Sequence, residues 1–331
     1  MAKKDLPVVP KLKTIIGPSF VLLGLALGSG ELILWPFLAA NYGLGLMWGA
    51  LIGITIQFFL NTEIMRYSLV WGESVFVGFK RLWSGWPIWF IISTFIPWGL
   101  PGFSSASAQI LDSLFPDVFS QKWLAIGILL FTGLVLTMGK TLYKTMELLQ
   151  RSIIILGLPL IILLVILVTN RADWVDLAQG LVGRGSNFWF LPAGLSLTSF
   201  LGALAYSGAG GNLNLTQSYN IKEKGFGMGK YAFKIVSVLR KKAQAVKLEG
   251  ETFLVNKKNL KSFKQWWKLV NQEHFIVFWG LGFVSIVLLS VLAKSLVFGR
   301  ASSQGITFVF QEANVIGQMI GPVFKTLFLI I

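Results

Sequence analysis

The chain has 331 residues, of which 54% are hydrophobic and only 13% are charged. It contains 29 Lys and Arg against 14 Asp and Glu, one histidine and no cysteine, which gives a net charge of +15. The lack of cysteine excludes disulfides and thiolate metal sites. The apolar composition is typical of a helical membrane protein rather than of a soluble one. Most basic residues lie in alternate loops between apolar runs. This distribution indicates the orientation of the chain in a membrane. It does not indicate nucleic-acid binding, so we expect no nucleic-acid partner.

Apolar runs of about 20 residues recur along the chain, and this length crosses a hydrocarbon core ~30 Å thick. The sequence therefore predicts an all-α polytopic protein, embedded in a lipid bilayer, with the N-terminus on the cytoplasmic side. An eighth run begins near Gly321 and ends with the sequence, which predicts a C-terminally truncated chain. The seven complete predicted spans cover residues 15–40, 44–65, 87–111, 123–139, 148–169, 188–219 and 275–297.

Two connecting segments are long enough to hold structure of their own. Residues 170–187 are predicted to carry a short amphipathic helix outside the membrane, and residues 221–274 form a basic cytoplasmic loop. The end of that loop, KSFKQWWKLVNQ, alternates Lys with aromatic residues. Such a pattern favours a basic amphipathic helix on an anionic leaflet, with a partner-binding helix as the alternative.

The first span is interrupted by polar residues and glycines in the stretch LALGSGELILWP, residues 25–36. A glycine inside a helix costs up to ~1 kcal/mol relative to alanine, and a carboxylate at the bilayer centre costs at least ~2.5 kcal/mol on insertion scales. Irregular backbone at membrane depth is tolerated only where it is buried in protein or lines a cavity. We therefore predict a helix in two halves, about 15–27 and 31–40, around Gly28, Ser29, Gly30 and Glu31. A continuous, glycine-rich packing helix is the alternative.

A second interruption lies in the sixth predicted span, where residues 204–220 read LAYSGAGGNLNLTQSYN. Gly208, Gly210 and Gly211 are followed there by Asn212 and Asn214. Interrupted spans at corresponding positions of two halves point to the site of a secondary transporter. The first and sixth positions are those of a five-plus-five inverted repeat. The chain is then one transmembrane domain, 1–331, with a first repeat at about 15–169 and an incomplete second repeat at about 188–331.

The two interrupted stretches carry a family resemblance. IIGPSFVLLGLALGSGELILWPFLAANYGLGLMWG resembles the first helices of the Nramp divalent-metal transporters, and SGAGGNLNLTQSYNIKEKGFGMG resembles their sixth helix and the loop after it. The resemblance is to distant prokaryotic members. It implies a LeuT-type fold, location in the prokaryotic inner membrane, and transport coupled to H⁺.

The chain departs from the Nramp pattern at the residues that bind metal. The family's Asp-Pro-Gly-Asn motif is replaced by Gly28-Ser29-Gly30-Glu31, and no methionine lies between Phe188 and Asn220. An oxygen-only site suits hard cations such as Mg²⁺ or Mn²⁺. We therefore expect Glu31, Ser29 and Asn212 to bind the metal. The wider substrate site adds four further residues: Gly28, Gly208, Gly211 and Asn214.

The sequence thus predicts a secondary active transporter of a divalent cation, with no bound cofactor. The resemblance implies H⁺ as the coupling ion, with Na⁺ as the alternative. A cation-coupled symporter of an amino acid or other organic solute is the first alternative, and a non-transporting membrane scaffold is the second. P-loop, HExxH and catalytic-triad patterns are missing from the sequence, so we do not expect an enzyme.

Five further polar residues lie in or beside the predicted spans. Glu63 and Arg66 have the spacing of a local ion pair on one helix, with a proton relay as the alternative. Gln57 and Asn61 are expected to form hydrogen bonds between helices. The single histidine, His274, lies at a predicted membrane boundary, where both a structural and a proton-carrying role are open.

Overall fold

The computed structural model describes residues 4–10, 16–28, 30–100, 102–116, 118–139, 141–234, 247–300 and 304–330. Over these ranges the chain is helical, and strand pairing is limited to two isolated bridges, Lys4 with Phe253 and Arg184 with Trp189. The predicted all-α class is confirmed.

The α-helices of the described residues range from 8 to 27 residues in length. In chain order they are α1 (Pro18–Ala26), α2 (Trp35–Tyr42), α3 (Met47–Trp71), α4 (Val75–Leu82), α5 (Trp86–Trp98), α6 (Gly102–Leu114), α7 (Gln121–Met138), α8 (Leu142–Val168), α9 (Arg171–Gly180), α10 (Leu197–Ala205), α11 (Gln217–Lys224), α12 (Lys257–His274), α13 (Gly282–Val297), α14 (Ile306–Met319) and α15 (Pro322–Ile330). Between them lie π-helical turns at Gly30–Leu34 and Phe275–Leu281, and 3₁₀ turns at Leu44–Leu46, Gly211–Thr216 and Gly227–Tyr231.

Within the described part of the chain, four helices are long and apolar enough to cross a membrane: Leu44–Trp71, Gln121–Met138, Leu142–Val168 and Lys257–Val297. A fifth follows if Pro18–Ala26 and Glu31–Tyr42, bent by 49°, count as one span. The remaining predicted spans, 87–111 and 188–219, are built from shorter helices. A membrane protein is therefore supported, whereas the count of seven spans and the LeuT-type arrangement stay predictions.

The chain divides into two compact units, and each unit takes segments from both predicted repeats. The first unit comprises Met1–Leu22, Phe59–Arg151 and Asn212–Phe275, and the second comprises Leu23–Phe58, Ser152–Gly211 and Ile276–Ile331.

The core of the second unit forms where α2 packs against α13, and α14 packs against α13 as well. Leu292 and Phe308 are fully buried in this core, which also includes Leu164 of α8. The same unit contains α9, so the helix predicted within 170–187 is confirmed. Asn170 and Asp173 cap the N-terminus of α9 reciprocally, an arrangement that satisfies backbone N–H groups left free there.

The core of the first unit forms around α12. Trp266 and Val270 of α12 are buried together with Leu6, Phe226 and other apolar residues, and the Trp266 indole N–H donates to the Pro7 carbonyl over 2.8 Å. The predicted amphipathic helix is therefore present, but the N-terminal segment and the preceding loop cover its apolar face. That packing leaves these two side chains no free surface to insert into a lipid leaflet. The lysines of α12 remain exposed.

Candidate functional site

The first interruption of the helical backbone lies where the sequence predicted it. Helix α1 ends at Ala26, a turn follows, and the chain resumes as the π-helical turn Gly30–Leu34 before α2 begins. The Gly28 N–H donates to the Ala26 carbonyl at 2.6 Å, a contact that closes α1 instead of extending it. Ser29 lies outside the described residues. The predicted break at 27–31 is confirmed as a loss of regular α-helix.

Glu31 lies on the π-helical turn and is completely buried. Neither of its carboxylate oxygens has a hydrogen-bond partner among the described residues. Gly282, which sequence reasoning missed, lies close to the carboxylate: a β-carbon placed on it would lie 3.8 Å from Glu31 Oε1, 2.9 Å from Ile54 Cδ1 and 3.2 Å from Leu23 Cδ1. The glycine therefore allows a close approach of these side chains that a larger residue would prevent.

The second interruption follows α10. Gly210 and Gly211 have φ values of +70° and +44°, a left-handed conformation that glycine adopts at little cost. A 3₁₀ turn then runs from Gly211 to Thr216. The predicted break around 207–213 is also confirmed. The depth of either break in a bilayer stays a prediction.

Gln57 of α3 binds the backbone that this second break leaves unpaired. Its Nε2 donates to the Ala205 carbonyl over 3.0 Å, and its Oε1 accepts from the Gly210 N–H over 3.1 Å. A β-carbon on Gly208 would lie 2.7 Å from Gln57 Oε1, so this glycine allows the amide to approach. The expected interhelical role of Gln57 is confirmed. Asn61, one turn further on, has no side-chain hydrogen bond within the described ranges, so the same expectation is wrong for it.

The two breaks are neighbours within the second unit. The Trp35 indole N–H, at the start of α2, donates to Ser207 Oγ over 2.9 Å, and α10 packs against the turn Gly30–Leu34. Ser207 in turn donates to the Ala203 carbonyl of α10. Glu31 therefore lies on a turn that is fixed to the end of α10 by a buried tryptophan. Sequence reasoning missed both Trp35 and Ser207; tryptophan's need for an acceptor when buried was the available signal.

The predicted binding residues are divided between the two units. Gly28, Glu31, Gly208 and Gly211 belong to the second unit, and Asn212 and Asn214 belong to the first. Asn212 Nδ2 donates to Ser93 Oγ over 2.7 Å and to Thr94 Oγ1 over 3.3 Å, and Asn214 is buried. The complete set of ligands therefore stays a prediction.

The acidic residues and grooves of the described structure do not add further candidates to the predicted binding residues. Among the described residues, no group of three or more His, Cys, Asp or Glu side chains is placed to hold a metal ion. Glu312 of α14 is buried within the protein. Two open grooves, one along α9 and one between α6 and α7, are lined by other residues.

Glu63 has a local partner, as its spacing predicted. Arg66 Nε donates to Glu63 Oε2 over 2.8 Å, and the same carboxylate oxygen pairs with Arg66 Nη2. Both side chains are more than half exposed. The ion pair on α3 is confirmed.

The first unit contains a buried polar cluster that sequence reasoning overlooked. Glu273 and His274 end α12, and both contact Ser19 at the start of α1. Gln217 and Asn220 of α11 complete the cluster. The sequence signal was an adjacent acid and imidazole at a predicted membrane boundary, of which only the histidine was considered.

No protein-family model and no curated protein matches this chain. The resemblance to the Nramp transporters therefore stays a prediction, and the functional argument depends on the chain's own residues.

Proposed function

We propose that the chain is a secondary active transporter of a divalent cation, Mg²⁺ or Mn²⁺, and that Glu31 supplies the charge that binds it. The observation that supports this is a fully buried carboxylate that has no hydrogen-bond partner among the described residues and lies on a π-helical turn between the two halves of an interrupted helix. An ionised carboxylate buried without a partner is too costly to persist, so it needs a proton or a cation. Ionisable groups within membrane segments commonly mark ion pathways.

The surroundings of Glu31 suit a transported ion better than a resident one. A resident structural metal is usually held by several charged or strongly coordinating side chains, and Glu31 is the one acid among the residues predicted to bind. Neutral oxygens, such as the carbonyls freed at the first break, would complete the coordination. One charge and weak neutral ligands favour an ion that binds and leaves. Coupling to H⁺ is the part of the proposal that rests on the Nramp resemblance.

The test is a titration of the purified chain with Mn²⁺ and Mg²⁺, followed by uptake into proteoliposomes. Glu31→Gln keeps the shape of the side chain and removes its charge, so metal affinity should fall at least ~10-fold, or about 1.4 kcal/mol. Glu63→Gln is the matched control, since it removes an exposed, ion-paired carboxylate and should leave binding unchanged. Cd²⁺ should compete no better than Mn²⁺, because the site offers no sulfur.

Three outcomes would count against the proposal. A folded Glu31→Gln variant that binds metal as tightly as the parent would remove Glu31 from the site. Amino-acid uptake that depends on Glu31, in a protein that binds no metal, would favour the organic-solute symporter. A parent protein that transports neither class would favour the scaffold.

A further inference from the structure

The buried cluster of the first unit joins the start of α1 to the end of α12. Glu273 Oε1 accepts from the backbone N–H groups of Gly17 and Ser19, each over 3.1 Å. Its other oxygen, Oε2, accepts from Ser19 Oγ over 2.5 Å. A carboxylate of α12 therefore caps the N-terminus of α1, where free N–H groups and the helix dipole favour negative charge.

Ser19 links this carboxylate to the imidazole of His274. Ser19 Oγ lies 2.8 Å from His274 Nδ1, and Gln217 Nε2 donates to the same oxygen over 3.4 Å. Asn220 holds Gln217 in place, since its Nδ2 donates to Gln217 Oε1 over 2.8 Å. Ser19, His274 and Gln217 are completely buried, and Glu273 is 2% exposed. Bulk water is therefore kept from a chain of three exchangeable groups.

The hydroxyl of Ser19 has one proton and two acceptors within reach. When it donates to Glu273, the short contact with His274 requires a proton on Nδ1 to donate back to Ser19. When it donates to His274, Glu273 must carry a proton and donate to Ser19. The two arrangements hold the same number of protons and differ by the transfer of one proton between His274 Nδ1 and Glu273 through Ser19, so the chain can pass a proton either way.

The contacts around the carboxylate favour a proton over a metal ion. Gly17 N–H, Ser19 N–H and the Ser19 hydroxyl all direct hydrogens at its oxygens. A cation would have to displace these donors and would face more N–H groups from Gln217 and Asn220. A proton needs only an acceptor, and the Glu273 carboxylate, Ser19 Oγ and the His274 imidazole already provide acceptors within hydrogen-bond distance of one another.

We propose that Glu273, Ser19 and His274 form a proton-binding site in which Ser19 passes a proton between the carboxyl and imidazole groups. In the deprotonated state Glu273 is ionised and His274 is neutral, with its proton on Nδ1. An added proton binds His274 Nε2. The Nδ1 proton then moves to Ser19 Oγ while the Ser19 proton moves to Glu273 Oε2. The result is a neutral carboxyl and a neutral imidazole protonated on Nε2, and it avoids a buried pair of charges.

The charged groups around the cluster are mainly paired with one another. Lys224 of α11 pairs with Glu147 of α8 over 2.5 Å, and Lys222 pairs with Glu223 over 2.9 Å. Tyr143 of α8 is the remaining titratable group that interacts with both Glu147 and Glu273. Lys224 also interacts with Glu273, but each ammonium has a carboxylate partner of its own. The added proton therefore neutralises Glu273, and His274 is neutral before and after.

Proton binding by this cluster does not depend on the cargo at Glu31, although a coupling role would rest on the proposed transport function. Glu273 caps α1, and α1 leads directly to the first break. Protonation removes the negative charge at that cap and weakens its hold on the helix. Cation movement driven by a pH gradient should then require Glu273, while cation binding at equilibrium should not.

The experiment uses the full chain labelled with ¹⁵N-histidine in lipid nanodiscs. His274 is the only histidine, so every imidazole signal reports on this cluster. At high pH the proton should be on Nδ1, and at lower pH the signal should change to the tautomer protonated on Nε2. An infrared band of a protonated carboxyl group should develop over the same pH range. In Glu273→Gln that band should be absent, and the midpoint of the imidazole change should move by at least ~1 pH unit, a tenfold change in proton concentration.

Two serine variants separate proton transfer from packing. Ser19→Thr keeps a hydroxyl and should keep the tautomer change, whereas Ser19→Ala removes the bridge and should abolish it. Glu63→Gln should leave all signals as in the parent. An imidazole signal that does not change with pH, or that titrates identically in the parent and Glu273→Gln, would overturn the site. Failure of cation uptake in the parent would refute the transport function alone.

Discussion

The two units each bury a glutamate near an end of α1, and the two carboxylates have opposite surroundings. Glu273 of the first unit accepts three hydrogen bonds, from two backbone N–H groups and one hydroxyl. Glu31 of the second unit accepts none among the described residues and lies between apolar side chains and Gly282. Both are removed from water, so the cost of burying the charge is offset in only one of them.

This difference separates a group that stabilises the fold from one that is kept for a ligand. Removing a satisfied carboxylate leaves its donors unpaired, and that loss reduces stability. Removing an unsatisfied one relieves a cost, and natural proteins retain such groups where function requires them. The comparison therefore predicts opposite signs for similar substitutions at the two positions.

The largest expected effect is at Glu273. Glu273→Ala should lower the free energy of unfolding by about 3 kcal/mol, because it leaves the N–H groups of Gly17 and Ser19 without an acceptor in a buried site. Glu31→Gln should leave the free energy of unfolding unchanged or raise it by about 1 kcal/mol. Reversible unfolding of both variants in mixed detergent micelles measures these changes. A loss at Glu31 as large as that at Glu273 would show that Glu31 has a structural partner.

The second prediction concerns the close approach of α3 to the second break. A β-carbon on Gly53 would lie 2.6 Å from the Leu204 carbonyl and 2.6 Å from Ser207 Oγ. Gly53→Ala should therefore cost about 2 kcal/mol, since a helix backbone has to move. A β-carbon on Gly202 of α10 would have no heavy atom within 4 Å. Gly202→Ala should therefore raise the free energy of unfolding by about 0.5–1 kcal/mol, because alanine has the higher helix propensity. Equal effects of the two substitutions, measured by the same unfolding assay, would contradict the packing around Ser207.

Both breaks could be predicted from the sequence because local chemistry dictates them. Glycines next to a carboxylate or to two asparagines cannot continue an apolar helix without cost. The π-helical form of the turn at Glu31 could not be predicted in this way, nor could the backbone groups of the second break to which Gln57 binds. Each depends on which helices pack together. The sequence alone does not show whether a glutamine side chain binds a distant backbone group or a lipid headgroup. Gly282 illustrates the same limit. It matters because it lies beside Glu31 in the folded chain, and Glu31 is about 250 positions earlier in the sequence.

The span count and the polar cluster show where a pattern of hydropathy is insufficient. Residues 188–219 are apolar enough to be taken for a span, yet their regular helix is limited to α10 and the beginning of α11. Ser19 is an ordinary small residue in an apolar run. Only its contacts with Glu273 and His274 distinguish it from serines that pack against lipid.

A smaller effect is expected at the ion pair that joins α9 to α13. Lys294 binds Asp173, 3% exposed, over 2.7 Å and Asp176, 49% exposed, over 2.8 Å. Asp173→Ala should cost about 1.5 kcal/mol, because it also removes the cap of α9. Asp176→Ala should cost no more than about 0.5 kcal/mol. Equal losses in the unfolding assay would contradict the difference in burial.

The same pair gives a pH dependence with a defined sign. Burial raises the pKa of Asp173, but the Asn170 backbone N–H and the Lys294 ammonium outweigh this effect and lower the pKa below its ordinary value. The stabilisation is then complete above the unfolded pKa of about 3.9 and is lost as the pH falls through the folded pKa. Asp173→Asn should remove this acidic loss, as followed by unfolding between neutral and strongly acidic pH.

The smallest effect is expected at a third glutamate, which completes the comparison between satisfied and unsatisfied carboxylates. Glu63 is paired, like Glu273, but its partner Arg66 and the carboxylate itself are both more than half exposed. Water therefore solvates the carboxylate whether or not the arginine is present, and an exposed pair of this kind contributes about 0.3–0.5 kcal/mol. Glu63→Gln should change the free energy of unfolding by no more than that and should leave cation binding unchanged. Added salt should weaken the pair further, because exposed charges are screened. If Glu63→Gln reduced stability or cation binding as much as the substitutions at the buried glutamates, burial would not be what distinguishes the three carboxylates, and the assignment of Glu31 to a cation would lose its physical basis.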